Sequence, residues 1–316
     1  MKGSNLVLLA VALFVGCSTS RLPPATPVTP TAKAEASFPR PTLSQSEQLA
    51  QLHPLLRGPV TKLDLAWVAD MGAVAIPACT REASDETLSL EARDLILVVL
   101  GNTLKKADFY KSPDGKNDLV VTVLLKALND PEPRVRRSAA FAARFVDDVR
   151  LVPALRQLLN DRAFVQEQAV LALGTSGREA EVVAIAKLFF ETDNGTFRYS
   201  CLYSLATMCL LHDVDVASVL ERNSATFGEK NLQNVDSVSR RFMEFNSITA
   251  LLKKLSSGDA SKRRDANEKL RKLTGKRVAF DPAANDAARR RGIEEWQKYL
   301  LKDYWLVPSP SPPSKP

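Results

Sequence analysis

The sequence predicts an all-α fold, an α-solenoid (α/α superhelix) built from stacked helical hairpins. Val135-Arg-Arg-Ser-Ala139, Val165-Gln-Glu-Gln-Ala169 and Phe197-Arg-Tyr-Ser-Cys201 repeat one helical phrase about every 30 residues, each after an acidic or polar turn that closes an apolar helix. Proline recurs at helix starts, as in Val152-Pro153-Ala154 and Ile76-Pro77-Ala78, where its missing N–H costs nothing. Aromatic residues make up only 7% of the chain while Leu, Ala and Val dominate, a composition suited to closely packed helices. A fixed period of this size marks units too small to bury their own apolar faces, so each must pack on its neighbours.

The stretch from Arg150 to Gly177 holds one complete unit. Leu155, Leu158 and Leu159 form a stripe at helical spacing, Asn160-Asp161 turns the chain and offers a cap, and Val165, Ala169, Leu171 and Leu173 mark a second helix expected to stop at Gly174. Ala169 and Ala172 let that helix's neighbour approach closely. The preceding unit runs through Leu124, Leu125 and Leu128, Asn129-Asp130-Pro131, then Val135, Ala139, Ala142 and Ala143. The following unit places Ile185 and Leu188 on its first helix and Phe197, Cys201 and Leu205 on its second. An earlier, less regular unit spans Leu63 to Leu100, and Lys105 to Asp118, with Ser112-Pro113-Asp114-Gly115, reads as a surface loop. Four hairpins therefore precede Leu211 and at least one follows; Val216 to Val235 fits either a helical pair or a long loop.

Asp130-Pro-Glu-Pro-Arg-Val-Arg-Arg-Ser-Ala139 and Ala169-Val-Leu-Ala-Leu-Gly174 resemble the HEAT-repeat family, in particular its short bacterial HEAT-like form. The resemblance covers roughly Leu63 to Leu210. It implies a scaffold with a concave binding surface, and the fold alone does not set an activity.

Positive charge is concentrated near the C-terminus. Lys253 to Arg291 contains thirteen Lys and Arg against five Asp and Glu, so this module accounts for the net charge of +7. Lys262, Arg263, Arg264, Arg271, Lys272, Lys276, Arg277, Arg289, Arg290 and Arg291 are its candidate anion-contacting residues. Ala266, Leu270 and Leu273 read as one apolar helix face ending at Thr274-Gly275, Phe280-Asp281-Pro282 as a cap and first-turn proline, and Ile293, Trp296, Leu300 and Leu301 as the face of a last helix. This order resembles the terminal module of bacterial HEAT-like proteins, which implies a capping pair whose polar outer face keeps the array soluble.

The N-terminus reads as an export signal, with Lys2 followed by the ten-residue apolar run Leu6 to Val15, too short to cross a bilayer core. Phe14-Val15-Gly16-Cys17 resembles the bacterial lipobox, with Phe14 in place of the usual Leu. That resemblance implies cleavage before Cys17, lipid attachment there, and a cell-envelope lipoprotein; Ser18 favours the outer membrane if the host is Gram-negative. Six prolines between Ser18 and Gln45 predict an extended tether, and Pro308 to Pro316 a second Pro-rich tail. The organisation is a signal over 1–16, a tether over 17–45, HEAT-like repeats over 46–215, an irregular hairpin and basic capping module over 216–306, and a tail over 307–316.

Cys79, Cys201 and Cys209 are odd in number, and the last two lie about 12 Å apart along one helix, so small buried core residues are expected. His53 and His212 have no second ligand at metal-site spacing, and no phosphate loop, nucleophile elbow or paired-His motif occurs. The expected function is a non-catalytic scaffold needing no cofactor, with a protein or peptide on its concave face and the membrane reached through Cys17. Two alternatives stand. One is an enzyme or accessory similar to bilin lyases, which needs a reactive Cys or a charged pocket on the concave face. The other is a cytosolic polyanion-binding solenoid, should the signal go unused; export argues against nucleic acid as a partner.

Overall fold

The computed structural model describes residues 68, 71–85, 87–107 and 118–306, all within the unit Gln45–Pro316. The signal, the tether, His53, the loop around Pro113 and the terminal tail lie outside the described residues. Among the described residues, regular structure is helical throughout. The twelve α-helices are α1 (Ile76–Ala83), α2 (Leu90–Lys106), α3 (Asp118–Leu128), α4 (Pro133–Ala143), α5 (Val152–Gln157), α6 (Ala163–Ser176), α7 (Glu179–Glu191), α8 (Gly195–His212), α9 (Val216–Arg222), α10 (Leu232–Lys254), α11 (Ala260–Thr274) and α12 (Asp286–Lys302).

Helices α1 to α10 pair as five antiparallel hairpins, and the second helices α2, α4, α6 and α8 pack in succession into one layer. Pro77, Pro133 and Pro153 sit in the first turns of α1, α4 and α5. Ser89, Asn194, Asp215, Asp259 and Asn285 cap helices with side-chain oxygens, satisfying amides that have no partner inside the helix. The stretch after Asp215 resolves as a helical pair: α9 joins α10 through two 3-10 turns, Ser224–Phe227 and Glu229–Asn231.

Small residues set the spacing of the second-helix layer. A Cβ on Gly174 would lie 2.9 Å from the Ser204 Cα of α8, and one on Gly101 of α2 would lie 3.0 Å from the Ala142 Cα of α4. Ala139, Ala142, Ala169 and Ala172 are fully buried along the same contacts. Gly174 therefore corrects the expectation that it stops its helix. Helix α6 runs two residues further and ends at Gly177, because Gly174 serves close approach rather than punctuation. Ser204 completes the contact by donating from Oγ to the Val170 carbonyl at 2.6 Å.

The repeated phrase acquires a physical meaning from its arginine. Val135 is buried, and Arg136 beside it donates from Nε and Nη2 to the Asp161 carboxylate at 2.6 and 3.0 Å, clamping α4 to the turn of the following hairpin. Arg93 of α2 makes the equivalent bond to Asp130. The ladder stops there. Gln166 occupies the same place in α6 and donates to the Leu159 carbonyl at 2.6 Å, and Arg198 in α8 lies 4.6 Å over the Phe189 ring. Asp161 does not cap α6 as expected, since its carboxylate is taken up by Arg136 and the Arg162 N–H.

Three expectations for the terminal module also change. Leu273 is 59% exposed, while Ala266 and Leu270 are buried as expected. Asp281-Pro282 starts no helix: Asp281 Oδ1 accepts the Ala283 N–H at 2.9 Å and closes a turn, and the last helix begins at Asp286. Phe280 instead packs on Gly292, where a Cβ would meet its ring at 2.8 Å. Finally, α11 packs on α10, but α12 turns back against α8 rather than extending the stack.

Gly174→Val is expected to lower stability by about 2–3 kcal/mol in urea denaturation through overpacking against α8, whereas Gly195→Ala, with open space around it, should stay within about 0.5 kcal/mol. Asp161→Asn is expected to cost about 1–2 kcal/mol at pH 7. Hydrogen bonding from Arg136 holds the folded Asp161 carboxyl below its usual value. Its contribution is thus full above the unfolded pKa of about 3.9 and is lost as the pH falls through the lower folded value, so the wild-type advantage should shrink below about pH 4. A difference that stays constant across pH would contradict the clamp.

Candidate functional site

The second helices form a face, and α12 lies along it. The Tyr199 hydroxyl of α8 donates to the Lys302 carbonyl at 3.0 Å, tying down the end of α12. Trp296 is fully buried and its indole N–H donates to Asn267 Oδ1 of α11 at 3.3 Å. Just beyond α12, Trp305 packs on Phe242 and Phe245 of α10 with ring centroids 4.7 and 5.1 Å away. Arg241 lies 5.1 Å over the Trp305 ring and donates to the Tyr304 carbonyl at 2.7 Å. Aromatic burial on this scale is the main force holding the end of the chain against the array.

Between α12 and the second-helix face runs a groove made of two adjoining cavities of about 710 and 370 Å³, which share Arg144, Leu171, Tyr203, Lys298 and Leu301. Its apolar walls come from Phe145, Leu171, Leu210, Leu211 and Leu301, and Lys105, Lys298 and Lys302 stand along its edges. Arg144, at the end of α4, forms the floor. Its guanidinium lies 5.8 Å from the rings of Phe141 and Phe145, and Nη1 donates to the neutral Gln168 Oε1 at 3.3 Å. Burial pulls its pKa below the usual arginine value, while Tyr203 and Glu167 push the other way. Among the described residues, no carboxylate lies within ion-pair distance of Arg144, Lys105, Lys298 or Lys302. Asp147 and Glu294 are the carboxylates in the lining; Asp147 accepts from Arg178 at 3.0 Å, and Glu167, behind Arg144, accepts from the Ser200 hydroxyl at 2.9 Å.

One end of the groove is fixed by a polar knot. His212 Nε2 lies 2.6 Å from the Thr175 carbonyl and 2.9 Å from Arg178 Nη1, so a residue at a helix C-terminus joins α8 to α6 and to the start of α7. The Thr175 and Ser176 hydroxyls donate to the Arg144 and Val146 carbonyls at 2.9 and 2.7 Å, securing the floor from below.

The ten cationic residues expected to contact anions fall in different settings. Arg271, Lys272 and Arg277 share a separate cleft of about 770 Å³ with Glu268 and Gly275, which has no large apolar wall. Lys262, Arg264, Arg290 and Arg291 are exposed, and Lys276 Nζ lies 5.3 Å over the Tyr299 ring. Arg263 is buried and spends its donors on the Pro282 and Ser257 carbonyls at 2.8 and 2.6 Å; Arg289 binds the Ala284 carbonyl and Asp286. Those two arginines hold the module's own backbone. Cys17 lies outside the described residues.

Cys79, Cys201 and Cys209 are buried, and burial pushes each thiol up to about 12. Among the described residues, no three His, Cys, Asp or Glu side chains are grouped to hold a metal ion, and no helix is long and apolar enough to cross a membrane. The groove itself escaped sequence reasoning, although Tyr304-Trp305 and the Phe141-Arg144-Phe145 grouping were there to be read.

Trp305→Ala is expected to release α12. Hydrogen exchange of amides 286–302 should accelerate while α4 and α6 keep their protection, and unchanged exchange in α12 would contradict the anchoring role given to Trp305.

The comparisons with known proteins follow the repeat. Residues 121–206, from α3 to α8, match the family described as HEAT repeats. No curated protein matches the chain. Among solved structures, the complex of CpcE and CpcF of phycocyanin lyase from Nostoc sp. PCC7120 is similar over 88% of this chain and 100% of that chain, with 17% identity and a TM-score of 0.42, values too low to transfer anything from it. The chain is thus an all-α solenoid whose central hairpins are HEAT-like.

Proposed function

We propose that the protein is a non-catalytic scaffold of the bacterial cell envelope, tethered to the membrane through a lipidated Cys17, that holds a partner protein in the groove between α12 and the second helices. The groove carries the docking part of this reading: it joins apolar walls to four cations against the two carboxylates of its lining, Asp147 and Glu294. Such a surface gains by covering apolar area and by pairing its charges, and a bound partner supplies both. The enzyme alternative needs a reactive thiol or a charged pocket on this face; the groove supplies charge, so the thiols are what separate the two readings. Burial of Cys79, Cys201 and Cys209, with their thiols raised far above neutral pH, argues against it because the thiolate is the reactive form.

Two measurements test the proposal. Mass spectrometry of the mature protein is expected to find an acylated Cys17 as its first residue, and an intact Met1 would overturn the tether. A photo-crosslinking amino acid at Leu211, on the groove wall and 39% exposed, should capture a partner in intact cells that the same group at exposed Leu232 does not. Equal capture from both positions would overturn the groove as the docking face.

A further inference from the structure

We infer that the groove is built for an extended, acidic segment of the partner, about eight residues long and interleaved with apolar side chains, which sets one carboxylate on Arg144. This deepens the scaffold reading and rests on it. Charge gives the sign of the occupant. Arg144 on the floor and Lys105, Lys298 and Lys302 at the edges converge on one cavity system, and among the described residues the guanidinium's hydrogen-bond partner is the neutral Gln168 amide, at 3.3 Å. Two carboxylates, Asp147 and Glu294, stand in the lining against these four cations, and Asp147 is committed to Arg178, while Glu167 behind Arg144 accepts from Ser200. A half-buried guanidinium between two aromatic rings, with donors to spare, matches a planar carboxylate in two parallel bonds, and in a low-dielectric site such a bond exceeds its value at the surface.

Shape gives the form of the occupant. The groove is lined from the end of α2 to α8, across four successive second helices. At 8–10 Å between packed helices this is roughly 24–30 Å, the reach of about eight extended residues. An extended strand presents alternate side chains to opposite sides. Apolar residues can then meet Leu171, Leu210 and Leu301 while acids face Arg144 and the lysines. The basic cleft at Arg271, Lys272 and Arg277 lacks apolar walls and so offers nothing to alternate residues of this kind.

The test uses the full chain and three fluorescein-labelled octapeptides of alternating sequence, Leu/Glu, Leu/Gln and Leu/Lys, followed by polarisation. The Leu/Glu peptide is expected to bind at least tenfold more tightly than the Leu/Gln peptide, with the Leu/Lys peptide weakest. Arg144→Met, which keeps the contact with the phenyl rings, should remove most of that preference. K298E/K302E, at exposed positions that do not bear on folding, should weaken Leu/Glu binding at least tenfold, and R271E/R277E should leave it unchanged. Equal binding of all three peptides, or a Leu/Glu preference that survives both Arg144→Met and K298E/K302E, overturns the acidic specificity and leaves the scaffold standing. No binding of any peptide, together with equal crosslinking from Leu211 and Leu232, overturns both.

Discussion

Close approach of the second helices is the constraint on which the rest of this molecule depends. Where Gly174 meets Ser204 and Gly101 meets Ala142, there is no room for a further carbon, and the buried alanines of α4 and α6 extend the same tight contact along the array. Protein interiors are close-packed, so spacing at these points determines where every neighbouring side chain falls. The Arg136–Asp161 and Arg93–Asp130 clamps act at the turns, outside this seam, and tie one hairpin to the next. A stack of this kind is held by nearest-neighbour contacts, so its shape is the sum of these local settings.

A regular seam produces a continuous outer face on the second-helix layer, and that face creates a problem at the end of the chain. Phe242 and Phe245 of α10 need cover, and Trp305 with Tyr304 supplies it. The chain must reach them by running α12 along the layer, with Tyr199 holding its last turn. The helix that shields an aromatic cluster therefore also becomes a wall. The groove arises because α12 touches α8 closely while Arg144, Leu171 and Phe145 lie set back from it. Leaving Arg144 without a carboxylate carries a desolvation cost, and a partner's carboxylate would offset it.

Hairpins with helical periodicity and first-turn prolines were legible from residues alone, because spacing and proline chemistry act within a few neighbours. Val135, Ala139, Val165, Leu173 and Cys201 occupy the buried positions their spacing assigned. Gly174 was misread for a physical reason: glycine ends helices and also permits close contact, and only the position of Ser204 tells the two apart. Arg263 misled similarly, since a cation in a basic run resembles its neighbours until its carbonyl partners, Ser257 and Pro282, are located. The path of α12 was illegible because it depends on pairing Tyr199 with Lys302 and Trp305 with Phe242, contacts that span long sequence separations and follow no period.

Docking of α12 over the second-helix face is most directly measured as a distance. Spin labels at Lys105 and Lys298, which line the same groove from α2 and α12, should give one narrow distribution of no more than about 30 Å by double electron–electron resonance in the full chain. A broad distribution, or one centred well beyond that length, would mean that α12 leaves the face and that no groove exists there to hold a partner.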